Sequence, residues 1–444
     1  MNIPTSRHAS KCLPAALLLA ASLLVPAAHA APPTFSRDIA PLIYQNCTAC
    51  HRPGEVAPFT LMSYDDVAKR SKTIAKVIEK RVMPPWKAEP GHHRYLDERR
   101  LTDAQIALFQ QWIAEGMKPG DPADLPAPPQ FAEGWALGEP DLVLDPGEDF
   151  TLGAEGRDVY RCFVVPSGLL EDRHITAVEV RPGNRRVVHH VLVHLDTSGK
   201  ARELDAADPG PGYATGGGVG FRSLGQVAGW APGNQARRLP EGVGTLMPKG
   251  ADVVLQVHYH KNGKVETDRT KVGLYFTRGP VDKRFRSFML AYPAIRIPAG
   301  DSNYTARAAI PIPQDVTLLR VMPHMHLLGR DMKLTAILPD GTAQTLVNVP
   351  AWDFNWQFTY AFAEPVKLPR GSRVELVAHY DNSEHNPVNP SQPPRPVRWG
   401  EQTTDEMCLA FLSYTLDSEH LTQGQTVPTL RERLREAVKA GGGK

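Results

Sequence analysis

The chain is poor in aromatic residues and cysteine, and it has no block of like charge. Aromatic residues make up 7% of its 444 residues, charged residues 22%, and the formal net charge is only +2. Nucleic-acid binding usually leaves a basic patch or stripe, which this sequence lacks. After residue 30 no apolar run reaches the roughly 20 residues that a spanning helix needs. We therefore expect neither a nucleic-acid partner nor stable membrane insertion.

Residues 1–30 have the organisation of a cleaved signal peptide. A basic start precedes an apolar core at 13–25 and a small-residue cleavage site at 28–30, so the mature chain would begin at Ala31. A membrane anchor is the alternative, but the apolar core is shorter than a spanning helix. The sequence thus predicts export to the periplasm or secretion.

Proline and glycine are abundant, with 41 and 36 residues, yet hydrophobic residues still form 42% of the chain. From residue 140 onward short apolar runs are bounded by Gly, Pro, Asn or Asp, which is typical of strands and turns. These runs lie at 175–180, 187–195, 253–258, 272–276, 317–321, 333–338 and 373–379. The pattern predicts a mainly β chain with two antiparallel β-sandwiches, at 140–282 and 283–420. A tail at 421–444, with a short charged helix at 427–440, would follow.

Cys47, Cys50 and His51 form a C-x-x-C-H motif. In an exported chain this spacing favours covalent attachment of a haem, with two thiols for the vinyl groups and a histidine for the iron. A disulfide or zinc hairpin is the alternative, and it would need a second Cys/His pair. The adjacent histidines at 92–93 are the only candidate for that pair.

Helical patterns lie on both sides of this motif, at 36–44 and at 101–117, the second with a capping signal at Thr102. Together with the motif they resemble a small class I cytochrome c domain, which we place at 31–119. A Pro-rich linker follows at 120–139. The sequence thus predicts an all-α haem domain, tethered as a separate module.

The iron of such a haem needs a second axial ligand from outside the motif. Met83 precedes two prolines that would hold its thioether rigidly, and Met62 and the pair at 92–93 are the alternatives. Ligation by Met and His together would raise the reduction potential.

His324 and His326 lie two residues apart in a run that is otherwise typical of a strand. Their side chains therefore share one face and can close on one ion. Two neutral imidazoles with a soft thioether, such as Met407, favour copper over hard cations. The sequence thus predicts a redox-active copper site.

His189 and His190 are adjacent, so on a regular strand they would face opposite sides of the sheet. Both can bind one ion only at a β-bulge or a strand end. His258 is the third candidate ligand, with His194 and His260 as alternatives.

Five motifs occur in the order and approximate spacing of the copper type II, ascorbate-dependent monooxygenases, the family of peptidylglycine α-hydroxylating and dopamine β-monooxygenases. They lie at 188–192, 238–244, 255–259, 324–329 and 404–408, and the resemblance covers 140–416. It implies two jelly-roll-like sandwiches with one copper on each, facing across a solvent cleft. The ligands that it implies are His189, His190 and His258 for an electron-relay copper, and His324, His326 and Met407 for the catalytic, oxygen-activating copper.

The substrate pocket departs from the family pattern. Peptidylglycine enzymes bind the peptide carboxylate with an Arg before the histidine pair and with Asn and Tyr after the methionine. The corresponding residues here are Met322, Leu409 and Phe411. A buried carboxylate would lack its charged partner, which costs several kcal/mol. We therefore expect a small apolar or aromatic substrate and disfavour peptide amidation.

Cys162 and Cys408 look like two half-cystines of the animal enzymes, but their partner positions do not hold cysteine. We expect two buried free thiols, with a Cys162–Cys408 bridge as the alternative.

Together these patterns predict an exported haem–copper monooxygenase that takes O2 and a small molecule. Electrons would pass through haem c and the three-histidine copper, with ascorbate or another periplasmic reductant as donor. The alternative is an electron-transfer or copper-handling protein without hydroxylase turnover.

Overall fold

The computed structural model of the chain describes residues 31–428, apart from 56, 132–133, 222 and 224–225, together with residue 1. The predicted signal peptide and nearly all of the predicted C-terminal helix lie outside these residues. Strands form 35% and helices 14% of the structure, which confirms the prediction of a mainly β chain. Within the described part, no helix is both long and apolar enough to cross a bilayer.

The N-terminal region is helical, with α1 at Ala40–Asn46, α2 at Tyr64–Glu79 and α3 at Asp103–Ala114. The predicted start of α3 is confirmed, because Thr102 and Gln105 form a capping box. The sequence reading missed α2, which begins where the Ser63 side chain accepts from the Asp66 N–H. Its inward face joins a core with these buried side chains: Ile39, Ile43, Phe109 and Trp112. Assignment of this region as a cytochrome c domain stays a prediction.

A first pair of sheets follows, with strands numbered here in chain order. One sheet has the order β6 (Tyr213–Thr215), β3 (Val159–Pro166), β9 (Asp252–Tyr259), β5 (Val188–Asp196), β7 (Gln226–Trp230). The other has the order β1 (Leu142–Leu144), β11 (Lys271–Phe276), β4 (Arg173–Arg181), β8 (Val243–Met247), β12 (Lys283–Arg284). A short ribbon joins β2 (Phe150–Leu152) to β10 (Glu266–Asp268), and helix α4 (Lys200–Ala207) follows β5. The pairings are antiparallel except that of β12 with β8.

A second pair of sheets is antiparallel throughout. One sheet has the order β13 (Arg286–Ala291), β22 (Leu409–Leu416), β16 (Val316–His324), β19 (Tyr360–Leu368). The other has the order β15 (Tyr304–Pro311), β20 (Arg373–Tyr380), β17 (Gly329–Ile337), β18 (Ala343–Val349). A short ribbon joins β14 (Arg296–Ile297) to β21 (Val397–Arg398).

Each pair of sheets has its own hydrophobic core, because inward side chains alternate with outward ones along the strands. In the first pair, Val191 and Leu255 of one sheet lie in the same core as Leu274 of the other. All seven predicted strand runs overlap observed strands. The jelly-roll connectivity and the domain boundaries stay predictions.

The segment between α2 and α3 crosses to the second pair of sheets. Trp86 and Tyr95 belong to its core, and the Tyr95 hydroxyl donates to the Leu346 carbonyl at 2.7 Å. The Glu89 N–H donates to the Asn348 carbonyl at 2.7 Å, which fixes the backbone to β18. The expectation of a module attached only through the Pro-rich linker is therefore wrong, because burial of two large aromatic side chains fixes the helical region to the sheets.

Candidate metal centres

A β-bulge brings His189 and His190 to the same side of their strand. The pairing of β5 with β9 shifts register between Val188 and His190, so that His190 lies opposite His258. The Nδ1 atom of His190 lies 3.3 Å from that of His189 and 3.3 Å from that of His258. One ligand atom from each ring falls within 4.8 Å of the others. The structure thus brings together the three residues predicted for the first copper, through the bulge that such an arrangement requires.

Asp158 fixes the orientation of the third ring. Its Oδ2 atom lies 3.1 Å from His258 Nε2, which places the ring proton on Nε2. The Nδ1 lone pair is then free to bind a metal ion. Burial opposes ionisation of Asp158, but hydrogen bonds with His258 and His260 hold its pKa well below the usual range. Thr403 also donates to this carboxylate. Asp158 therefore connects the first centre to the segment that leads to Met407.

The two alternative histidines lie outside this cluster. His260 has a 60% exposed side chain and bonds the other oxygen of Asp158 at 3.1 Å. His194 lies further along β5, with its Nδ1 atom 3.4 Å from the Ser223 hydroxyl. Of the three candidates, the structure places only His258 against the adjacent pair. Burial lowers the pKa of His189 to about 3 and holds that of His190 well below its ordinary value, so both rings are neutral near pH 7.

His324 and His326 form the second centre, with ring centroids 5.1 Å apart. The Nδ1 atom of His324 lies 2.6 Å from Gln357 Oε1, and that of His326 lies 3.1 Å from the Asp405 carbonyl oxygen. Each Nδ1 therefore carries a proton, and the lone pair of each Nε2 is available to bind a metal ion. Burial lowers the pKa of His324 to about 3 and that of His326 to about 4, which keeps both rings neutral.

Glu406 connects the backbone of Met407 to the backbone at His326. The Glu406 side chain is fully buried, and its Oε2 atom accepts from the His326 N–H at 2.9 Å and from the Met407 N–H at 3.1 Å. Its Oε1 atom accepts from the Leu328 N–H at 2.7 Å. Burial raises the pKa of Glu406 to about 8, although hydrogen bonds from four backbone N–H groups oppose this shift. One carboxyl group therefore ties the loop after β16 to the segment before β22 that carries the predicted thioether.

Phe354 lies between the two centres. Its ring stacks on His189 at 4.6 Å and meets His326 edge-on at 5.9 Å. The same loop supplies Gln357, whose Nε2 atom donates to the Phe354 carbonyl at 2.9 Å. An aromatic ring thus contacts a histidine of each centre, and the expectation that the two centres face across a solvent cleft stays a prediction.

Sequence reasoning missed the residues that support both centres: Asp158, Tyr160, Phe354, Gln357 and Glu406. Tyr160 stacks on His258 at 4.2 Å, and its hydroxyl donates to the Glu401 carbonyl at 2.6 Å. Glu406 has a usable signal, since a carboxylate beside the predicted ligand in a buried run needs partners. The others come from distant parts of the chain and carry no comparable signal.

A cleft lies between the two pairs of sheets, and its lining includes Met322, two residues before His324 on β16. Met322 and Phe411 are paired across β16 and β22, and both line this cleft. Its opposite wall includes Val227 of β7, and Arg320 also lines it. Leu409, the third predicted pocket residue, lies opposite His324 and is 4% exposed, outside the cleft lining. We call this space the inter-sheet cleft.

Cys47, Cys50 and His51 lie in a tight turn after α1, where the His51 N–H donates to the Cys47 carbonyl at 2.9 Å. Both thiols are free, and burial raises the pKa of Cys47 to about 12. The His51 Nδ1 atom lies 3.1 Å from the Phe59 carbonyl oxygen, which leaves Nε2 available for a metal. Met83 follows α2 and is half-buried. Among the described side chains, no Cys/His cluster of metal-binding size includes this motif.

The expectation of two buried free thiols is confirmed for Cys162 and Cys408. Cys408 belongs to the core of the second pair of sheets, whereas Cys162 lies in a small cluster beside α4. No disulfide joins the cysteines that the structure describes.

Residues 291–428 match the family described as copper type II ascorbate-dependent monooxygenase, C-terminal domain. This range contains His324, His326 and Met407. DBH-like monooxygenase protein 1 from Gallus gallus is 22% identical over 295 residues, covering 60% of this chain and 45% of that protein. The chain thus spans less than half the length of this curated relative. Both similarities are to monooxygenases, and the family description names copper.

Similarity to solved structures is weak. The major capsid protein P2 from bacteriophage PM2 is 10% identical with a TM-score of 0.24, covering 62% of this chain and 96% of that one. The VP2 subviral particle of infectious bursal disease virus is 9% identical with a TM-score of 0.17, covering 63% of this chain and 76% of that one. Scores this low carry no argument about fold or function.

Proposed function

We propose that the protein is a copper-dependent monooxygenase that hydroxylates a C–H bond of a small molecule. In the overall reaction, the substrate C–H, O2, two electrons and two protons give a C–OH group and water. The observation that carries the proposal is the pairing of two histidine centres around Phe354, one of them inside the segment that matches the copper monooxygenase family.

The first centre fits a copper ion held by His189, His190 and His258. Their three Nδ1 atoms converge, and the rings are neutral because burial lowers their pKa values. Asp158 retains the Nε2 proton of His258, an arrangement that orients a metal-binding imidazole. A site of three imidazoles suits an ion that moves between Cu(II) and Cu(I).

The second centre fits a copper ion held by His324, His326 and Met407. Gln357 and the Asp405 carbonyl hold the two Nδ1 protons, so both Nε2 atoms can face the same ion. Copper bound there would supply the redox chemistry and O2 activation, and the soft thioether favours its reduced state. Glu406 holds the backbone of Met407 to that of His326 through hydrogen bonds from both N–H groups.

The reacting part of the substrate is apolar or aromatic and occupies the end of the inter-sheet cleft next to His324. Met322 and Phe411 provide its walls, and neither offers a charge or a hydrogen-bond donor. A glycine-extended peptide would place its carboxylate against these side chains, which is unfavourable without a cationic partner. This argues against peptide amidation.

The helical region holds a covalent haem c on Cys47, Cys50 and His51, with Met83 as second axial ligand. The His51–Phe59 hydrogen bond supports this, since it orients the ring and frees Nε2. An attached haem would supply electrons one at a time, with ascorbate or another periplasmic reductant as their source. The salt bridge from Glu55 to Arg185, at 3.2 Å, places the motif loop beside the turn that precedes β5. Peptide mass tests this assignment: the haem adduct should vanish in Cys47→Ser/Cys50→Ser.

The activity is tested with copper-loaded protein and a reductant, screened against small aromatic and aliphatic compounds. We expect O2 uptake to rise with a substrate and product mass to increase by one oxygen atom. The His326→Ala protein should lose both signals, whereas His385→Ala, which changes a side chain that is 87% exposed, should keep them. Reductant consumption without any hydroxylated product would favour an electron-transfer protein instead.

A further inference from the structure

Arg320 is a cation without a charged partner in the inter-sheet cleft. Among the described residues, no carboxylate forms an ion pair with it, and its recorded contact is with the Phe285 ring at 5.4 Å. Burial, together with the nearby Arg237, lowers the pKa of Arg320 to about 10. A partly buried guanidinium without an anion is energetically unfavourable, which suggests that a bound anion pairs with it.

A second β-bulge aims Arg320 into the cleft. Both neighbours of β16 shift register between Leu318 and Arg320, so Leu318 faces the core while Arg320 takes the opposite side. After the bulge, Arg320, Met322 and His324 alternate onto one face. One inserted residue therefore places the guanidinium in the same row as a predicted metal ligand.

The surroundings of Arg320 are also positive. Two adjoining hollows share Arg320, Phe285 and Val227 as lining residues, and the one further from His324 is also lined by Arg99 and Arg237. Asp97 is the one carboxylate among the described lining residues, and it accepts from Arg237 Nε at 2.9 Å. Three guanidiniums thus face one carboxylate, which favours an anionic ligand.

Trp86 has an unpaired donor near the second hollow. It is 9% exposed and lines the hollow beside Arg99, and its indole N–H has no hydrogen-bond partner among the described residues. A buried donor of this kind normally has an acceptor.

We propose that Arg320 is the anion-binding end of the substrate site, and that the substrate is a small organic acid with an apolar body. This inference rests on the proposed monooxygenase function. The carboxylate would pair with the guanidinium, the body would lie along Met322 and Phe411, and the reacting carbon would face His324. Ser413, which pairs with Arg320 across β22, lines the same hollow and offers a hydroxyl to the same carboxylate.

The position of Arg320 also sets the length of the acid. Relatives that bind a peptide carboxylate carry their Arg at the position of Met322, two residues nearer to the histidine pair. Two strand residues span about 7 Å, so the acid here should place its reacting carbon several bonds further from the carboxylate. A glycine unit is too short for this distance.

Binding is measured with the copper-loaded full-length protein, without O2 or reductant, so that no turnover occurs. The probes are 3-phenylpropanoate, 5-phenylpentanoate and 7-phenylheptanoate, each compared with its carboxamide. A tripeptide with a free C terminus, compared with its amide, distinguishes a peptide carboxylate from a small acid. The variants are Arg320→Gln, Arg320→Lys and, as matched control, Arg307→Gln, which removes an exposed charge on β15. Copper-free protein repeats each titration, to exclude carboxylate binding to the metal.

We expect the two longer acids to bind roughly ten- to a hundredfold more tightly than their amides, the range of a charge-assisted hydrogen bond. Arg320→Gln should remove this preference, Arg320→Lys should retain part of it, and Arg307→Gln should leave it unchanged. Equal affinity for acids and amides, or an unchanged preference in Arg320→Gln, would overturn the inference. Tighter binding of the peptide would overturn the assignment to a small acid.

Thermal unfolding separates this role from a structural one. An unpaired guanidinium kept for a ligand predicts that Arg320→Gln has an unchanged or higher Tm, and a Tm lower by several degrees would indicate a structural role. Carboxylate binding that depends on Arg320, without any hydroxylated product, would contradict the proposed function but leave Arg320 as an anion-binding residue. Hydroxylated product from neutral compounds, with no preference for acids, would support the proposed function and contradict the role of Arg320 in anion binding.

Discussion

The two histidine centres present opposite nitrogens to their predicted ions. In the first centre Nδ1 atoms converge and Nε2 of His258 is held by Asp158, whereas in the second Nδ1 atoms are held and Nε2 atoms are free. Because Nδ1 lies nearer to the backbone than Nε2, the first centre lies close against its sheet. The second extends further from its strand. The free nitrogens therefore differ in their distance from the backbone that carries them.

The supporting groups differ in charge as well. In the first centre His258 is hydrogen-bonded to the carboxylate of Asp158. In the second centre the histidines are hydrogen-bonded to the Gln357 amide oxygen and a backbone carbonyl. A carboxylate partner raises the basicity of an imidazole more than a neutral oxygen does, and so favours the more highly charged metal ion. This contrast supports different redox roles for the two centres.

The largest expected effect comes from removing a ligand of the first centre. His258→Ala should reduce bound copper from two ions per chain to one, because only two imidazoles remain there. Copper analysis and electron paramagnetic resonance measure this loss. His260→Ala is the matched control, since His260 bonds the same Asp158 from outside the cluster. Equal copper loss in both variants would contradict the assignment of His258.

Met407→Ile should act on the second centre alone. Removal of the thioether leaves two imidazoles, so affinity for Cu(I) should fall at that centre while the three-histidine signal is unchanged. Competition with a Cu(I) chelator gives the affinity. If the variant kept full Cu(I) affinity and unchanged reactivity with O2, the thioether would have no role as a ligand.

Asp158→Asn should weaken copper binding at the first centre by about 10- to 100-fold, the usual range for loss of a group that orients a metal ligand. Gln357→Leu is the counterpart at the second centre, where His324 loses its acceptor. In copper titrations, Asp158→Asn should weaken binding at the first centre only, and Gln357→Leu should weaken binding at the second centre only. Loss of copper binding at both centres in either variant would mean that Asp158 or Gln357 stabilises the fold and does not orient one ligand.

Phe354→Ala should have the smallest effect of these substitutions, but it should change both centres. The ring stacks on His189 and contacts His326, and an aromatic pair contributes about 1 kcal/mol beyond its buried area. We expect small spectral changes in both copper signals with two ions still bound. A change confined to one centre would show that the ring does not couple them.

Much of the strand pattern could be predicted from the sequence, because alternation marks a strand whatever its partners are. The shared face of His324 and His326 follows from that period. The bulge before Arg320 could not be located, since one inserted residue leaves no mark in an apolar run, whereas a bulge or strand end at His189 was expected if both adjacent histidines bind one ion. The same limit applies to Asp158 and Gln357, which reach the centres only through the tertiary fold. The residues that flank His324 and Met407 in the sequence therefore predict an apolar pocket, and Arg320 carries no signal of its place in the cleft.

The central claim is that the two centres together insert one atom of O2 into a substrate. Mass spectrometry of the product formed under 18O2 by the copper-loaded protein tests this most directly, with 7-phenylheptanoate and its amide among the substrates. We predict one 18O atom in each product molecule, and no labelled product from the His326→Ala protein. Consumption of O2 without 18O in any product would contradict the claim.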